Sequence, residues 1–320
     1  KIIFAVKHLS RTDANKSMLD KKSFLILALV FMLSGMRLAS QSYASELERF
    51  DIPLNSPSFY EDWQEPTSLY GKPLEVAKAK LVTGIYEGQP VIALRLIMSA
   101  GWHSYWHFPG AAGIAPRFEW GASPYFSVGE PLFLPPKRFK EPGGPTYGYD
   151  GDTVIFIPLT FKGAFENRDE TAFSLSLTLT LGLCKDICIP ASFTFSEHIT
   201  LKDIRNSLDQ KWVSNALTAL PKPSNDELFV KEISFFENNL QVAIAGENLT
   251  RPDVFIAGRD GDFFDEPEIA SKSSTLWIFS VPAVPVDGDF SGRVLEFVVQ
   301  DTSGAVFQTR RVQSKKSVNE

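Results

Sequence analysis

FSLSLTLTLGLCKDICIP, residues 173–190, is the stretch that decides the fold. From Phe173 to Leu181 the odd positions are all Phe or Leu and the even positions all Ser or Thr. Successive side chains of an extended strand point to opposite faces. This period of two therefore predicts a half-buried strand, one face on a core and the other toward water. Past Pro190 the alternation resumes, with Phe193, Phe195, Ile199 and Leu201 on odd positions. Cys184 and Cys188, the only two cysteines among 320 residues, thus lie where one strand connects to the next.

Residues four apart in an extended strand are separated by about 13 Å, whereas a disulfide tolerates about 4.4–6.8 Å between Cα atoms. If the two cysteines bond, Lys185-Asp186-Ile187 must turn back as a helical turn or a hairpin end. Both share the even parity of the Ser/Thr face, so Cys184 is expected on the open side of the sheet unless Gly182 introduces a bulge. Three uses stay open at this point. A structural staple is the default in an exported domain, although closing so short a loop contributes only roughly 2 kcal/mol. A redox-exchanging pair fits a strained, near-surface disulfide; Lys185 would favour thiolate and Asp186 would oppose it. A copper or zinc site would need His103 and His107, also four apart, but their segment is crowded with Trp and Tyr and has no carboxylate before Glu119.

Around this hairpin, Val91–Met98 and Thr153–Leu159 are β-branched, apolar runs of strand length. Between Trp102 and Gly151 the chain is rich in Pro, Gly and aromatics and weak in periodicity, so it reads as a long irregular segment of the kind that carries function. Its Trp102, Tyr105 and Trp106 read as a satellite core before a sugar platform. From 202 to 220 the period becomes helical, with Ile204, Leu208, Trp212, Ala216 and Leu220 spaced by four, and Pro221 and Pro223 end it. Beyond lie short strand candidates: Leu228–Phe236, Leu240–Ala245, Val254–Ala257, Leu276–Val281, Val294–Gln300 and Ala305–Arg310. Turns such as Glu237-Asn238-Asn239 separate them, and Asp260-Gly261-Asp262 reads as a turn before a calcium loop. The expected architecture is all-β. An immunoglobulin-like β-sandwich over 45–201 leads through a linker helix and Pro-rich boundary (202–224) to a second, smaller β-sandwich (225–320).

At the N-terminus, Lys21-Lys22 precede the apolar run Phe24–Leu33 and then Ser42-Tyr43-Ala44. This is the pattern of a secretory signal peptide cleaved after Ala44, with Met18 as its start and residues 1–17 as an upstream extension. The run is too short to cross about 30 Å of hydrocarbon. The expectation is an exported protein that meets the membrane only through a partner or an uncleaved signal. A net charge of −6 argues against nucleic acid as a partner. No nucleophile elbow, P-loop or dinucleotide fingerprint occurs, and no cofactor or metal is expected.

GWHSYWHFPGAAGIAPRFEW (101–120), YGYDGDTVIFIPL (147–159) and CKDICIP (184–190), in that order, resemble the N-terminal periplasmic domain of the DsbD thiol:disulfide interchange family. The likeness is nearer to ScsB, the relative in copper-tolerance systems, and extends through RPDVFIAGRDGDFF (251–264) and GRVLEFVVQDTSGAVF (292–307). The resemblance implies an immunoglobulin-like sandwich whose cysteines cycle between dithiol and disulfide. They would be reduced by a membrane-embedded reductase and would in turn reduce thioredoxin-like periplasmic proteins. It implies that Cys188 attacks and Cys184 resolves, and that a cap loop matching Tyr147-Gly148, with Tyr149 beside it, shields the pair. Thr146 stands where the family has Phe, and His107 where it has Arg. The sequence shows neither the family's multi-helix membrane domain nor its thioredoxin domain, so either a separate membrane protein supplies electrons or the domain is an orphan put to another use. The remaining alternatives are a non-catalytic binding or scaffold module with a structural disulfide, and a metal-binding module.

Overall fold

The computed structural model describes residues 63–162 and 170–314; the expected signal peptide and its cleavage site lie outside them. The first part of the chain forms two sheets. One contains β1 (Thr67–Ser68), β4 (His103–Gly110), β5 (Arg117–Trp120), β8 (Lys137–Glu141), β9 (Gly144–Asp150), β11 (Phe173–Cys184) and β12 (Cys188–Ile199). Its order is β1-β12-β11-β4-β9-β8, with β5 also on β11. The other contains β2 (Ala77–Tyr86), β3 (Gln89–Met98), β6 (Phe126–Val128), β7 (Leu132–Phe133) and β10 (Asp152–Phe161), in the order β2-β3-β10-β6 with β7 also on β10.

Alternation drives the packing. Leu175, Leu177, Leu179, Leu181 and Leu183 of β11 are buried, as are Phe193 and Phe195 of β12. They share a core with Leu81, Ile92, Leu94, Ile155 and Ile157 of the opposite sheet. At roughly 2 kcal/mol for each large apolar side chain buried, this face alone accounts for much of the sandwich's cohesion.

The segment 102–151, read as irregular, holds β4 to β9. The missing alternation has a physical cause. Ser104, Tyr105 and Trp106 are all buried, so this part of β4 is covered on both faces, and a strand covered on both faces shows no period of two. A register break between Tyr105 and Gly110 in the β4–β9 pairing adds to the irregular reading.

The expected helix over 202–220 is two helices, α1 (Leu201–Arg205) and α2 (Gln210–Leu217). Thr200 and Asp203 form a reciprocal capping box at the start of α1. Asn206 ends it, and the Ser207 hydroxyl accepts the backbone N–H of Asp209, a local bond that competes with helix continuation. Leu208 is consequently exposed, and the buried face of α2 is Val213, Ala216 and Leu217. Gln210 fits the edge of β2: its Oε1 accepts the N–H of Ile85 (2.7 Å) and its Nε2 donates to the Ile85 carbonyl (3.3 Å).

The second sandwich follows, with the strands near their expected positions. One sheet runs β13 (Lys222–Pro223), β21 (Gly304–Arg311), β20 (Val294–Asp301), β16 (Asp253–Ala257). The other runs β17 (Phe263–Phe264), β19 (Leu276–Val284), β15 (Asn239–Gly246), β14 (Leu228–Phe236), β22 (Gln313–Ser314), with β18 (Glu268–Lys272) also on β19. Glu237 and Asn238 both have positive φ at the β14–β15 turn, the conformation a two-residue hairpin demands. Asp262 is fully engaged in a turn, accepting the N–H groups of Arg259 and Val286 and both oxygens' bonds from Arg293. The two sandwiches belong to one compact unit, and one cluster of buried side chains runs through both.

Candidate functional site: the Cys184–Cys188 disulfide

Strands β11 and β12 pair without a register break from Phe173↔Ile199 to Cys184↔Cys188. The cysteines are therefore opposite one another at the hairpin end, 4.1 Å apart at Cα, and they are bonded. Lys185, Asp186 and Ile187 form the exposed tip. Of the two turn geometries the spacing allowed, the chain uses the hairpin end.

The expectation that Cys184 lies on an open face is overturned: Cys184 is 2% exposed. Parity is kept and Gly182 makes no bulge, so the strand itself is as expected. What changes is that the polar face is covered at this end. The Tyr105 ring lies over Gly182, where a Cβ would sit 3.0 Å from a ring carbon, and over Gly113, where it would sit 2.4 Å away. The Gly182 N–H also donates to the Ile114 carbonyl. These two glycines leave a slot for an aromatic ring. Cys188, by contrast, is exposed.

Tyr105 carries its hydroxyl to the sulfurs. Its oxygen lies 2.8 Å from Cys184 Sγ, 2.9 Å from Cys188 Sγ and 3.1 Å from Glu141 Oε1. Glu141 in turn meets His103 Nε2 at 2.7 Å and accepts the Thr146 hydroxyl at 3.1 Å. His103 stacks on Phe139 with centroids 4.5 Å apart. Burial first, and then the neighbouring Glu141 carboxylate, push the Tyr105 phenol well above its ordinary range. It thus stays protonated and neutral wherever thiols titrate. Its one hydrogen has a carboxylate and two weak sulfur acceptors in reach, and the carboxylate is the stronger acceptor.

Tyr147 and Tyr149, expected at a shield, have their side chains elsewhere. Tyr147 packs edge-on against Phe255 beneath the Arg138 guanidinium, and Tyr149 donates to the Leu134 carbonyl. Gly148 is the register partner of Tyr105, and a Cβ there would meet the Ser104 carbonyl at 1.9 Å. Among the described residues, the side chain that hydrogen-bonds to the sulfurs is Tyr105. Sequence reasoning places Tyr105 in a satellite core and prefers, for His103, a buried histidine satisfied by hydrogen bonds over a metal ligand, as its bond to Glu141 bears out. The signal that could have joined them is their i, i+2 spacing, which puts both on one face of a strand. Glu141 carried no signal, because only the β8–β9 pairing brings it here. His107 points away to Glu296 of the second sandwich (3.6 Å), and burial lowers its pKa to about 4.

The disulfide at a hairpin end, with a buried and an exposed sulfur, lies inside a stretch, 72–200, that matches the family model described as thiol:disulfide interchange protein DsbD, N-terminal. The likeness is to the DsbD N-terminal family. The residues beyond this DsbD domain, 219–315, match a model described as a domain of unknown function (DUF8393). Among solved structures, the N-terminal periplasmic domain of ScsB from Proteus mirabilis is similar at 21% identity and a TM-score of 0.65. That match covers 81% of this chain and 100% of that one, so the DsbD domain and its neighbour share their fold with a solved pair. The comparison with curated proteins finds no match.

Proposed function

We propose that the chain is a periplasmic thiol–disulfide exchange protein that relays electrons through Cys184 and Cys188. The observation that carries this reading is the asymmetry of the pair, with Cys188 exposed and Cys184 2% exposed. In the dithiol form, the Cys188 thiolate attacks a sulfur of the partner's disulfide, and one partner sulfur leaves as thiolate. The Cys184 thiolate then attacks Cys188 in the mixed disulfide and releases the partner's second thiolate. Two electrons have moved, the partner is a dithiol, and Cys184–Cys188 is re-formed. Likeness to the family supports thioredoxin-like exported proteins as acceptors and a separate membrane-embedded reductase as donor. Similarity to a periplasmic ScsB domain supports the compartment.

A purely structural staple is the weaker reading. The β11–β12 pairing already fixes the register along its whole length, and the bond closes a loop worth only about 2 kcal/mol. The Cys184→Ser variant tests the proposal, since Cys188 then lacks its resolving partner and should trap a mixed disulfide with a thioredoxin-like protein. Failure to form any adduct, together with a reduction potential below about −300 mV for the wild type, would sink it.

A further inference from the structure

The hairpin β8–β9 has two faces with different neighbours. One carries Glu141 and Thr146 to Tyr105 and His103, beside the disulfide. The other meets the second sandwich through Arg138 and Lys140, and contacts at either end of the hairpin add to these. At its base, Gln300 Nε2 donates to the Pro136 carbonyl (2.8 Å). In β8, Arg138 donates to both oxygens of Asp253 (3.0 and 2.8 Å) and to the Val254 carbonyl (2.9 Å). The same guanidinium stands 4.8 Å from the Phe255 ring centroid. Near the turn, Lys140 meets Glu266 at 3.4 Å, and Gly144 lies so close to Phe263 that a Cβ would be 3.1 Å from its ring. The Arg138 side chain is 14% exposed in this arrangement, so its bidentate bond is the partly buried kind that holds geometry.

We propose that the second sandwich is a clamp that sets the reactivity of the disulfide, with Asp253 and Gln300 as positioning residues acting through the Glu141 hairpin. The inference rests on the exchange reading above. When the hairpin is clamped, the Glu141 carboxylate holds the single Tyr105 hydrogen. The sulfurs then face the lone pairs of the phenol oxygen. Reductive opening of the bond makes Cys184 the leaving thiolate, and an anion beside that oxygen and that carboxylate is disfavoured. Releasing the hairpin withdraws Glu141, and the Tyr105 hydroxyl turns to donate to the Cys184 thiolate. Docking of the second sandwich therefore slows opening of the disulfide, and undocking speeds it. The titratable groups around the sulfurs are Tyr105, Glu141 behind it and His103 on Glu141, with Lys185 and Asp186 exposed on the tip between the two cysteines.

The test uses the full chain and dithiothreitol, so no protein partner is needed. One dithiothreitol thiolate attacks Cys188 and Cys184 leaves and takes up a proton; the second thiolate then closes the cyclic oxidised reagent and expels Cys188, which also takes up a proton. Asp253→Asn with Gln300→Ala should raise this rate on the order of tenfold and move the alkylation profile of the reduced cysteines toward lower pH by about one unit. Glu141→Gln should do the same, and the combined variant should add nothing further, because both act on one proton. Arg259→Gln, which removes an exposed pair with Asp287 outside the hairpin, serves as the control and should match the wild type. Thermal melts verify folding, and each single variant replaces the pair if the pair unfolds. The clamp is overturned if Asp253→Asn with Gln300→Ala leaves rate and profile at wild-type values, or if its effect persists undiminished in Glu141→Gln. A wild-type disulfide inert to dithiothreitol overturns the exchange reading itself, which is a separate outcome.

Discussion

Two hairpins meet at the disulfide, and they are built on opposite plans. The cysteine hairpin, β11–β12, alternates apolar and polar residues and buries its leucines in its own sandwich. The hairpin β8–β9, with Lys137, Arg138, Lys140 and Glu141 on its first strand, buries no such stripe there. That edge strand is held by directed bonds to Asp253, Val254 and Gln300 of the other sandwich, while β9 pairs with β4 and buries Tyr147 and Tyr149. The lesson is a division of labour. Non-directional apolar burial places the sulfurs, whereas a few hydrogen bonds place the carboxylate that sits behind them. The first is robust to small changes and the second can be altered by single atoms.

The largest effect expected from separating these roles is loss of chemistry without loss of fold. Cys188→Ser should abolish exchange with a disulfide substrate while lowering stability by only about 2 kcal/mol, read from enzyme-free exchange assays and urea melts. Substantial residual exchange would break the assignment. Next, Leu179→Ala in the cysteine hairpin should cost about 2–5 kcal/mol, since Leu179 is fully buried. Lys140→Ala in the polar hairpin should stay within about 0.5 kcal/mol. Equal losses at the two positions would erase the contrast drawn here.

A smaller effect is expected where the two plans touch. A Cβ at Gly182 would press on the Tyr105 ring at 3.0 Å and on Ile114 at 3.2 Å. Gly182→Ala should therefore cost on the order of 1–3 kcal/mol and displace Tyr105 from the sulfurs, visible as altered disulfide reduction. Unchanged stability and reduction would show that the slot is loose. A further effect concerns the seam between the sandwiches. Burial lowers the His107 pKa to about 4, so the unfolded chain binds a proton there first as pH falls from about 6.5. Stability from this group is full above that range and is lost toward pH 4. Glu296, facing it, has its pKa raised by burial and opposes part of the trend. His107→Gln should flatten the acid side of the stability profile. A profile identical to the wild type would remove His107 from the account.

Much of this was legible in the residues, for reasons that differ by region. The alternation of 173–181 is a local property, and it correctly gave the strand, its buried face and the turn at the cysteines. The strands of the second sandwich were legible for the same reason. The cover over Cys184 was not, because it depends on Tyr105 meeting Gly182 and Gly113 across the sheet. The break in the linker helix was missed because apolar spacing outvoted the turn-forming run from Asn206 to Asp209. Tyr147 and Tyr149 were expected near the sulfurs through family likeness. Their contacts with Phe255 and Leu134 are set by strand register and by the neighbouring sandwich, neither of which a short motif encodes.

The side-chain amide of Gln210 offers the edge strand β2 one acceptor and one donor at Ile85, the same pair a neighbouring strand would present. The linker helix is thus a plug as well as a connector. A bare edge is a template on which a second chain can add its own strand, and this one is closed there by a residue the protein already needed to join its two halves. Crowding is then less able to turn β2 into the first contact of an aggregate.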